Sequence, residues 1–99
     1  MAIEIVVFHL EPDVVPKKFQ AAIDETTALL KTQTGFMSRT IGQSESGEWL
    51  DILYWESVES AKKAMTIFQT DKAGQSFSAS LDLKTIKVYF LETDVQLHE

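Results

Sequence analysis

The spacing of apolar side chains changes along this chain of 99 residues between a period of two and a period of three to four. Residues 2–10 are apolar on both faces and rich in β-branched side chains, which predicts a central strand covered on both sides. Residues 16–33 carry an apolar stripe at helical spacing, which predicts an amphipathic helix. Pro16 suits the first helical position, and Gly35 suits a left-handed residue just after the helix.

The rest of the chain predicts a hairpin, a second helix and a last strand. Residues 37–45 have a period of two and predict a half-exposed strand. After a Ser-Gly turn, residues 48–56 are largely apolar on both faces, which predicts a second, more buried strand and completes a hairpin. Residues 58–70 carry a second helical stripe directly after a serine that is suited to cap it. Residues 84–93 alternate again and form the last predicted strand.

The elements therefore follow in the order β-α-β-β-α-β. Residues 70–83 have no clear period, although Asp71 is suited to cap a short turn there. Right-handed crossovers on this order predict an α+β fold of the ferredoxin-like type, with both helices on one face of a four-stranded antiparallel sheet. The other sheet face then carries apolar side chains without a cover, and a second copy of the chain is the expected cover. The residues expected near that interface are Ile5, Val7, Ile52 and Tyr54.

Composition narrows the class of protein. The chain is 44% hydrophobic and 24% charged, and its length fits a single domain over residues 1–99. Its net charge of −6 at pH 7 disfavours nucleic acid and anionic membrane surfaces as partners. The absence of cysteine excludes disulfides, thiolate metal sites and a cysteine nucleophile. No apolar run approaches the ~20 residues of a membrane span, and the N-terminus has no basic leader, so we expect a cytoplasmic protein.

Three short motifs give the chain a resemblance to a known family. They are Gly35-Phe36 after the first helix, the turn Ser46-Gly47-Glu48-Trp49, and the strand-to-helix segment from Asp51 to Ala61. In these motifs and in the order of its elements, the chain resembles the antibiotic biosynthesis monooxygenase-like family. The resemblance implies a dimeric α/β barrel, in which two ferredoxin-like chains pack sheet to sheet. The activities it implies include cofactor-free oxygenation of polycyclic aromatics, quinol oxygenation and haem degradation.

The resemblance draws attention to Trp55, because haem-degrading relatives place a tryptophan against the cofactor at the end of the matching strand. An indole there either forms a wall of an apolar pocket and orients a ligand through its N–H, or packs as plain core. Asp51 lies in phase with Leu53 and Trp55 on an apolar strand face, so its carboxylate needs a partner. Arg39 on the neighbouring strand is the expected partner, at a pocket or in a structural ion pair.

His9 completes the set of candidate catalytic residues. An imidazole near the end of the first strand is suited to act as a general base for a phenolic substrate, or to lie partly exposed in an ordinary hydrogen bond. Alternation places His9 on the face opposite to Val6, towards the expected dimer side. His98 lies in the polar tail and is expected to be solvated. Two distant histidines without clustered acids predict that there is no metal site.

The sequence argues against haem. Haem-degrading relatives supply a histidine ligand from the helix after the third strand and an asparagine from the first strand, and the matching positions here are near Met65 and Val6. Methionine is a poor substitute for the proximal histidine of an oxygen-activating site. Haem degradation is therefore disfavoured, and no cofactor is expected.

Two functions remain open. The first is a cofactor-independent monooxygenase of a small aromatic or quinol-like substrate, with His9, Asp51 and Trp55 as its catalytic residues. The second is a non-catalytic dimeric barrel that binds a small apolar ligand in a regulatory or stress-related role. A cavity of a few hundred Å³ with converging polar groups favours the enzyme, whereas a filled core around Trp55 favours the binding protein.

Overall fold

Three helices pack on one face of a four-stranded antiparallel sheet in a computed structural model that describes residues 1–97. The strands are β1 (Ala2–Phe8), β2 (Phe36–Gln43), β3 (Trp49–Trp55) and β4 (Lys87–Glu92). The helices are α1 (Pro16–Lys31), α2 (Val58–Thr70) and α3 (Lys72–Ala79), and a 3-10 turn covers Leu83–Thr85. The strand order β2-β3-β1-β4 places β1 and β3 in the centre of the sheet. His98 lies outside the described residues, and within them no helix is long and apolar enough to cross a membrane.

The predicted ferredoxin-like architecture is confirmed, with α3 as an additional helix. α3 begins where the Asp71 carboxylate accepts a hydrogen bond from the Ala73 N–H at 2.9 Å. The buried side chain of Phe77 packs α3 against the core. Gly74 lies so close to α2 that a Cβ atom at this position would stand 1.8 Å from the Phe68 carbonyl oxygen.

Local sequence signals account for several of the element ends. α1 begins at Pro16 as predicted, and the Ser57 hydroxyl caps α2 by accepting a hydrogen bond from the Ser60 N–H at 3.0 Å. Gly35 has a φ of 84°, the left-handed conformation predicted after the first helix. A Cβ atom at Gly35 would also lie 2.6 Å from the Ser60 hydroxyl oxygen, so the position has two reasons to be glycine.

The end of the first strand and the start of the last strand differ from the prediction. β1 ends at Phe8, two residues early, and Leu10 forms only an isolated bridge. β4 begins at Lys87 because a 3-10 turn occupies the preceding residues. In that turn the Asp82 side chain accepts a hydrogen bond from the Lys84 N–H at 3.2 Å, which competes with extended backbone.

The register of the sheet decides which side chains meet under the helices. Glu4 pairs with Leu53, and Val6 pairs with Asp51, so these four side chains share the covered face. On β2, Arg39 pairs with Leu53 and joins the same face. The opposite face lacks any cover from the described residues and carries a continuous set of apolar side chains. They are Ile3, Ile5, Val7, Leu50, Ile52, Tyr54, Tyr89 and Leu91.

The core between the sheet and the helices consists of two clusters. The Trp55 cluster comprises Ala2, Leu30, Leu53, Trp55, Ala61 and Ala64. The Phe8 cluster comprises Phe8, Phe19, Ala22, Ile23, Phe77 and Leu81. Glu4 and Asp51 are also buried, and along β1 and β3 they fall between the two clusters. Polar groups therefore occupy the place where the two halves of the core meet.

Candidate functional site

A cavity of about 190 Å³ lies between the sheet and the helices, where the two clusters meet. The Glu4 and Asp51 carboxyls and the Trp55 indole line it from the sheet side. Side chains from α2 and α3, including Met65 and Phe77, form the opposite wall. The cavity is thus mostly apolar, with a few polar groups that converge at the sheet, which is the usual composition of a small-molecule site.

Glu4 and Trp55 form a buried hydrogen bond at this cavity. The indole Nε1 donates to Oε1 of Glu4 at 3.0 Å, with Trp55 fully buried and Glu4 7% exposed. The sheet register explains the contact, because Trp55 lies opposite Ala2 and is therefore a diagonal neighbour of Glu4 on the covered face. Among residues 1–97, hydrogen bonds to this carboxyl involve Oε1 alone, so Oε2 is left for a ligand.

Burial raises the pKa of Glu4 from 4.5 to about 7, because the carboxylate loses its hydration. The hydrogen bond from Trp55 lowers this pKa in part, the negative charge of Asp51 raises it, and the positive charge of Arg39 lowers it. The Glu4 carboxyl therefore exchanges a proton near neutral pH, as a general acid or base at physiological pH must.

Arg39 and Asp51 form the ion pair expected from the sequence. The guanidinium Nε and Nη2 donate to the two carboxylate oxygens at 2.9 and 2.7 Å, and the side chains are 4% and 7% exposed. The remaining nitrogen, Nη1, donates to the Ile23 carbonyl and to the hydroxyls of Thr26 and Thr27 on α1. Both oxygens of Asp51 are engaged by Arg39, which suits a structural role for this carboxylate.

His9 is not among the residues that line the cavity. It follows β1 and is exposed, and its backbone is held on both sides. The His9 N–H donates to the Thr85 hydroxyl at 2.9 Å, and its carbonyl accepts from the Asp82 N–H at 2.9 Å. Of the three candidate catalytic residues, the structure brings Asp51 and Trp55 to one site and leaves His9 outside it.

Solved structures with this fold include oxygenases. SnoaB from Streptomyces nogalater, a cofactor-independent oxygenase, is 15% identical with a TM-score of 0.76, over 99% of this chain and 97% of that chain. A proposed antibiotic biosynthesis monooxygenase from Bordetella bronchiseptica is 14% identical with a TM-score of 0.77, over 95% and 97%. The chain has the fold of the antibiotic biosynthesis monooxygenase-like proteins. No family model matches the sequence, and no curated protein does.

One neighbour with the antibiotic biosynthesis monooxygenase-like fold raises the question of haem. A mutant of MhuD with two manganese protoporphyrin IX bound per active site is 9% identical with a TM-score of 0.71, over 100% of both chains. The cavity here does not fit such a group, because about 190 Å³ is below the roughly 300 Å³ at which pockets for drug-sized ligands begin. Its lining side chains, all within residues 1–97, include Met65 on α2 but no histidine.

Metal ligands are also not clustered in the part of the chain that the structure describes. There, no group of three or more His, Cys, Asp or Glu side chains is placed to hold an ion. The acidic side chains at the cavity are Glu4 and Asp51, and the second is bound to Arg39.

Glu4 is the site residue that reasoning from the sequence missed. The first strand is interpreted above as apolar on both faces, which hides the one acid within it. Alternation places Glu4 in phase with Ala2, Val6 and Phe8, all of them apolar. The same signal, an acid on an apolar strand face, singles out Asp51 in the sequence, so it was available for Glu4 as well.

Proposed function

We propose that this protein is a cofactor-independent monooxygenase of a small aromatic or quinol-like substrate. The observation that carries the proposal is the cavity in which the proton-exchanging carboxyl of Glu4 meets the Trp55 N–H among apolar walls. Apolar walls suit an aromatic ring, and the polar corner suits a hydroxyl group on that ring. The presence of a cofactor-independent oxygenase among the neighbours of the same fold supports the reaction class.

Trp55 and Asp51 have supporting roles in this proposal. Trp55 forms a wall of the cavity and orients the Glu4 carboxyl through its N–H. Asp51 holds Arg39, which connects the sheet to α1 beside the cavity. The catalytic role predicted for His9 stays a prediction, since His9 does not line this cavity.

A non-catalytic protein that binds a small apolar ligand is the second candidate. The cavity volume of about 190 Å³ is smaller than expected for an enzyme, and Trp55 is fully buried, as expected for core. Both observations favour this candidate. It shares the ligand site with the first and differs from it in oxygen chemistry alone.

Oxygen uptake separates the two candidates. The protein, without added cofactor or metal, is mixed with phenols, hydroquinones or anthrone, and oxygen consumption is corrected for spontaneous oxidation. We expect uptake above the spontaneous rate with at least one compound, and a lower rate for Trp55→Phe, which keeps most of the apolar volume but lacks the N–H. Binding of these compounds without uptake by any of them would reject the oxygenase and favour the binding protein.

Two further proposals concern the oligomeric state and the location of the protein. We propose that two copies pair through the open sheet face, because its apolar side chains have no cover from the described part of the chain. We also propose a cytoplasmic location, as predicted from the sequence.

A further inference from the structure

We propose that the Glu4 carboxylate is the base that accepts the hydroxyl proton of the substrate, and that this substrate has no more than two aromatic rings. The inference rests on the proposed function, and it names the base and the size class of the substrate. Two observations carry it, namely the free oxygen of Glu4 at the cavity and the volume of the cavity.

Glu4 is the carboxyl at this cavity with an oxygen that is available to accept a hydrogen bond from a ligand. Its Oε1 accepts a hydrogen bond from the Trp55 N–H, which fixes the orientation of the carboxyl. Oε2 accepts no hydrogen bond from residues 1–97. Asp51 differs, because both of its oxygens accept hydrogen bonds from Arg39. A hydroxyl group in the cavity therefore finds an acceptor on Glu4 rather than on Asp51.

The charged groups that face Glu4 are Asp51 from β3 and Arg39 from β2. They neutralise each other in their ion pair. The helices and β4 place uncharged side chains against the same cavity, among them Leu30, Met65, Gln69, Phe77 and Val88. With a pKa of about 7, Glu4 is then half ionised at neutral pH and is poised to take a proton from a bound hydroxyl.

The volume of the cavity limits the substrate. A cavity of roughly 150 Å³ in another protein holds one benzene molecule. The cavity here is about 190 Å³, which is slightly larger, and it is well below the roughly 300–1,000 Å³ of pockets for drug-sized ligands. One ring fits within this volume, a second fused ring reaches its limit, and a third fused ring exceeds it.

The chemical step balances without an external reductant. An aromatic hydroxyl compound and molecular oxygen give a quinone and water. The O–H proton goes to Glu4, the C–H bond opposite the hydroxyl breaks, and that carbon forms a C=O bond with one oxygen atom of O₂. The O–O bond breaks, and the other oxygen atom leaves as water with the hydrogen of the broken C–H bond and the proton that Glu4 gives back. The substrate supplies all four electrons that reduce O₂.

The pH dependence of turnover tests Glu4. For the wild type with 1-naphthol, kcat/KM should rise about tenfold per pH unit below pH 7 and level off above it. Glu4→Gln keeps an oxygen that accepts the Trp55 N–H but cannot accept a proton, so kcat/KM should fall at least about 100-fold and the break near pH 7 should disappear. A Glu4→Gln variant that keeps this break would overturn the proposal.

Trp55→Phe is the control for a merely structural effect. Loss of the indole N–H removes a hydrogen bond that lowers the pKa of Glu4, so the break in kcat/KM should move to higher pH. A uniform loss of rate with an unmoved break would contradict the coupling between these two residues.

Phenol and 1-naphthol should both be turned over faster than anthrone, and efficient turnover of anthrone would refute the size limit.

Binding separates failure of the base from failure of the proposed function. If no compound supports oxygen uptake, the monooxygenase is rejected, and the affinity for 1-naphthol, measured by tryptophan fluorescence, tests the contact with Glu4. The affinity should increase several-fold between pH 6 and pH 8 in the wild type and stay level in Glu4→Gln. The same pH dependence in both proteins would show that the hydroxyl does not contact Glu4.

Discussion

The buried Glu4 carboxyl couples the stability of the fold to pH. Its pKa is about 7 in the folded protein and 4.5 when hydrated, so between these values the folded state holds a proton that the unfolded state has lost. Stability from this group is therefore complete below about pH 4.5, declines as pH rises, and is lost above pH 7. At about 1.4 kcal/mol per pKa unit, the loss is on the order of 3 kcal/mol.

Glu4→Gln should remove this pH dependence of stability. The amide is neutral at every pH and has nearly the same shape, so we expect its free energy of unfolding to exceed that of the wild type by about 2–3 kcal/mol at pH 8.5. At pH 5 the two proteins should differ by less than about 1 kcal/mol. Urea unfolding of both proteins at the two pH values measures the difference. A gap that is equal at pH 5 and pH 8.5 would contradict the burial of an ionisable carboxyl.

At the scale of single residues, alternation predicted the positions of the site better than their chemistry. It placed Asp51 and Trp55 on one face of their strand and gave Arg39 as the expected partner of Asp51, and the structure shows both the shared face and the ion pair. It did not separate core from pocket at Trp55, because the indole is fully buried and also borders a cavity. That distinction depends on how the helices sit on the sheet, which no local spacing encodes.

The Arg39–Asp51 pair acts at the scale of elements, since it ties β2 and β3 to the middle of α1. The Arg39 guanidinium donates five hydrogen bonds, two to the Asp51 carboxylate and three to α1. The charges are buried, so removal of one leaves the other without compensation. The pair therefore fixes β2 and β3 to α1 by directed hydrogen bonds in addition to apolar packing.

A double-mutant cycle tests this coupling. Arg39→Met and Asp51→Leu should each reduce the free energy of unfolding by about 3–5 kcal/mol. The double variant should lose clearly less than the sum of the two, because neither charge is then left buried alone. Urea unfolding of the four proteins gives the coupling energy, and losses that simply add would show that the ion pair is not the stabilising contact.

α3 is the element that the sequence did not predict. It has eight residues, and a glycine and two serines among them oppose helix formation. The Asp71 cap was visible in the sequence, but the reason for the glycine was not. Gly74 is needed because the backbone of α3 passes directly over the Phe68 carbonyl, a tertiary contact that propensity cannot show.

Gly74→Ala should therefore destabilise the protein although alanine favours helices. The added methyl would lie 1.8 Å from the Phe68 carbonyl oxygen, so we expect a loss of about 2 kcal/mol or more in the free energy of unfolding. Gly42→Ala is the matched control, because a Cβ atom there meets nothing within 4 Å, and its effect should stay within about 0.5 kcal/mol. Equal effects of the two variants would contradict the close packing of α3 on α2.

At the scale of the whole molecule, the open sheet face predicts a homodimer. Light scattering at micromolar concentration should report twice the chain mass of 11.2 kDa. Ile52→Lys, in the middle of that face, should give a folded monomer because it buries a charge at the interface. Ile67→Lys, on an exposed position of α2, should leave the dimer intact. A wild-type mass near 11.2 kDa would refute the homodimer.

The cavity between the two clusters also makes the folded protein responsive to any molecule that fills it. A compound that binds only the folded state stabilises it by mass action, by about 2.7 kcal/mol at 100 times its Kd. For a chain of this length, each kcal/mol raises the melting temperature by about 4–8 °C. Melting curves recorded against a library of phenols should therefore shift upward for those that fit, and stay unchanged for those with three or more fused rings. The melting temperature thus reports the occupant of the cavity whether or not the protein turns it over.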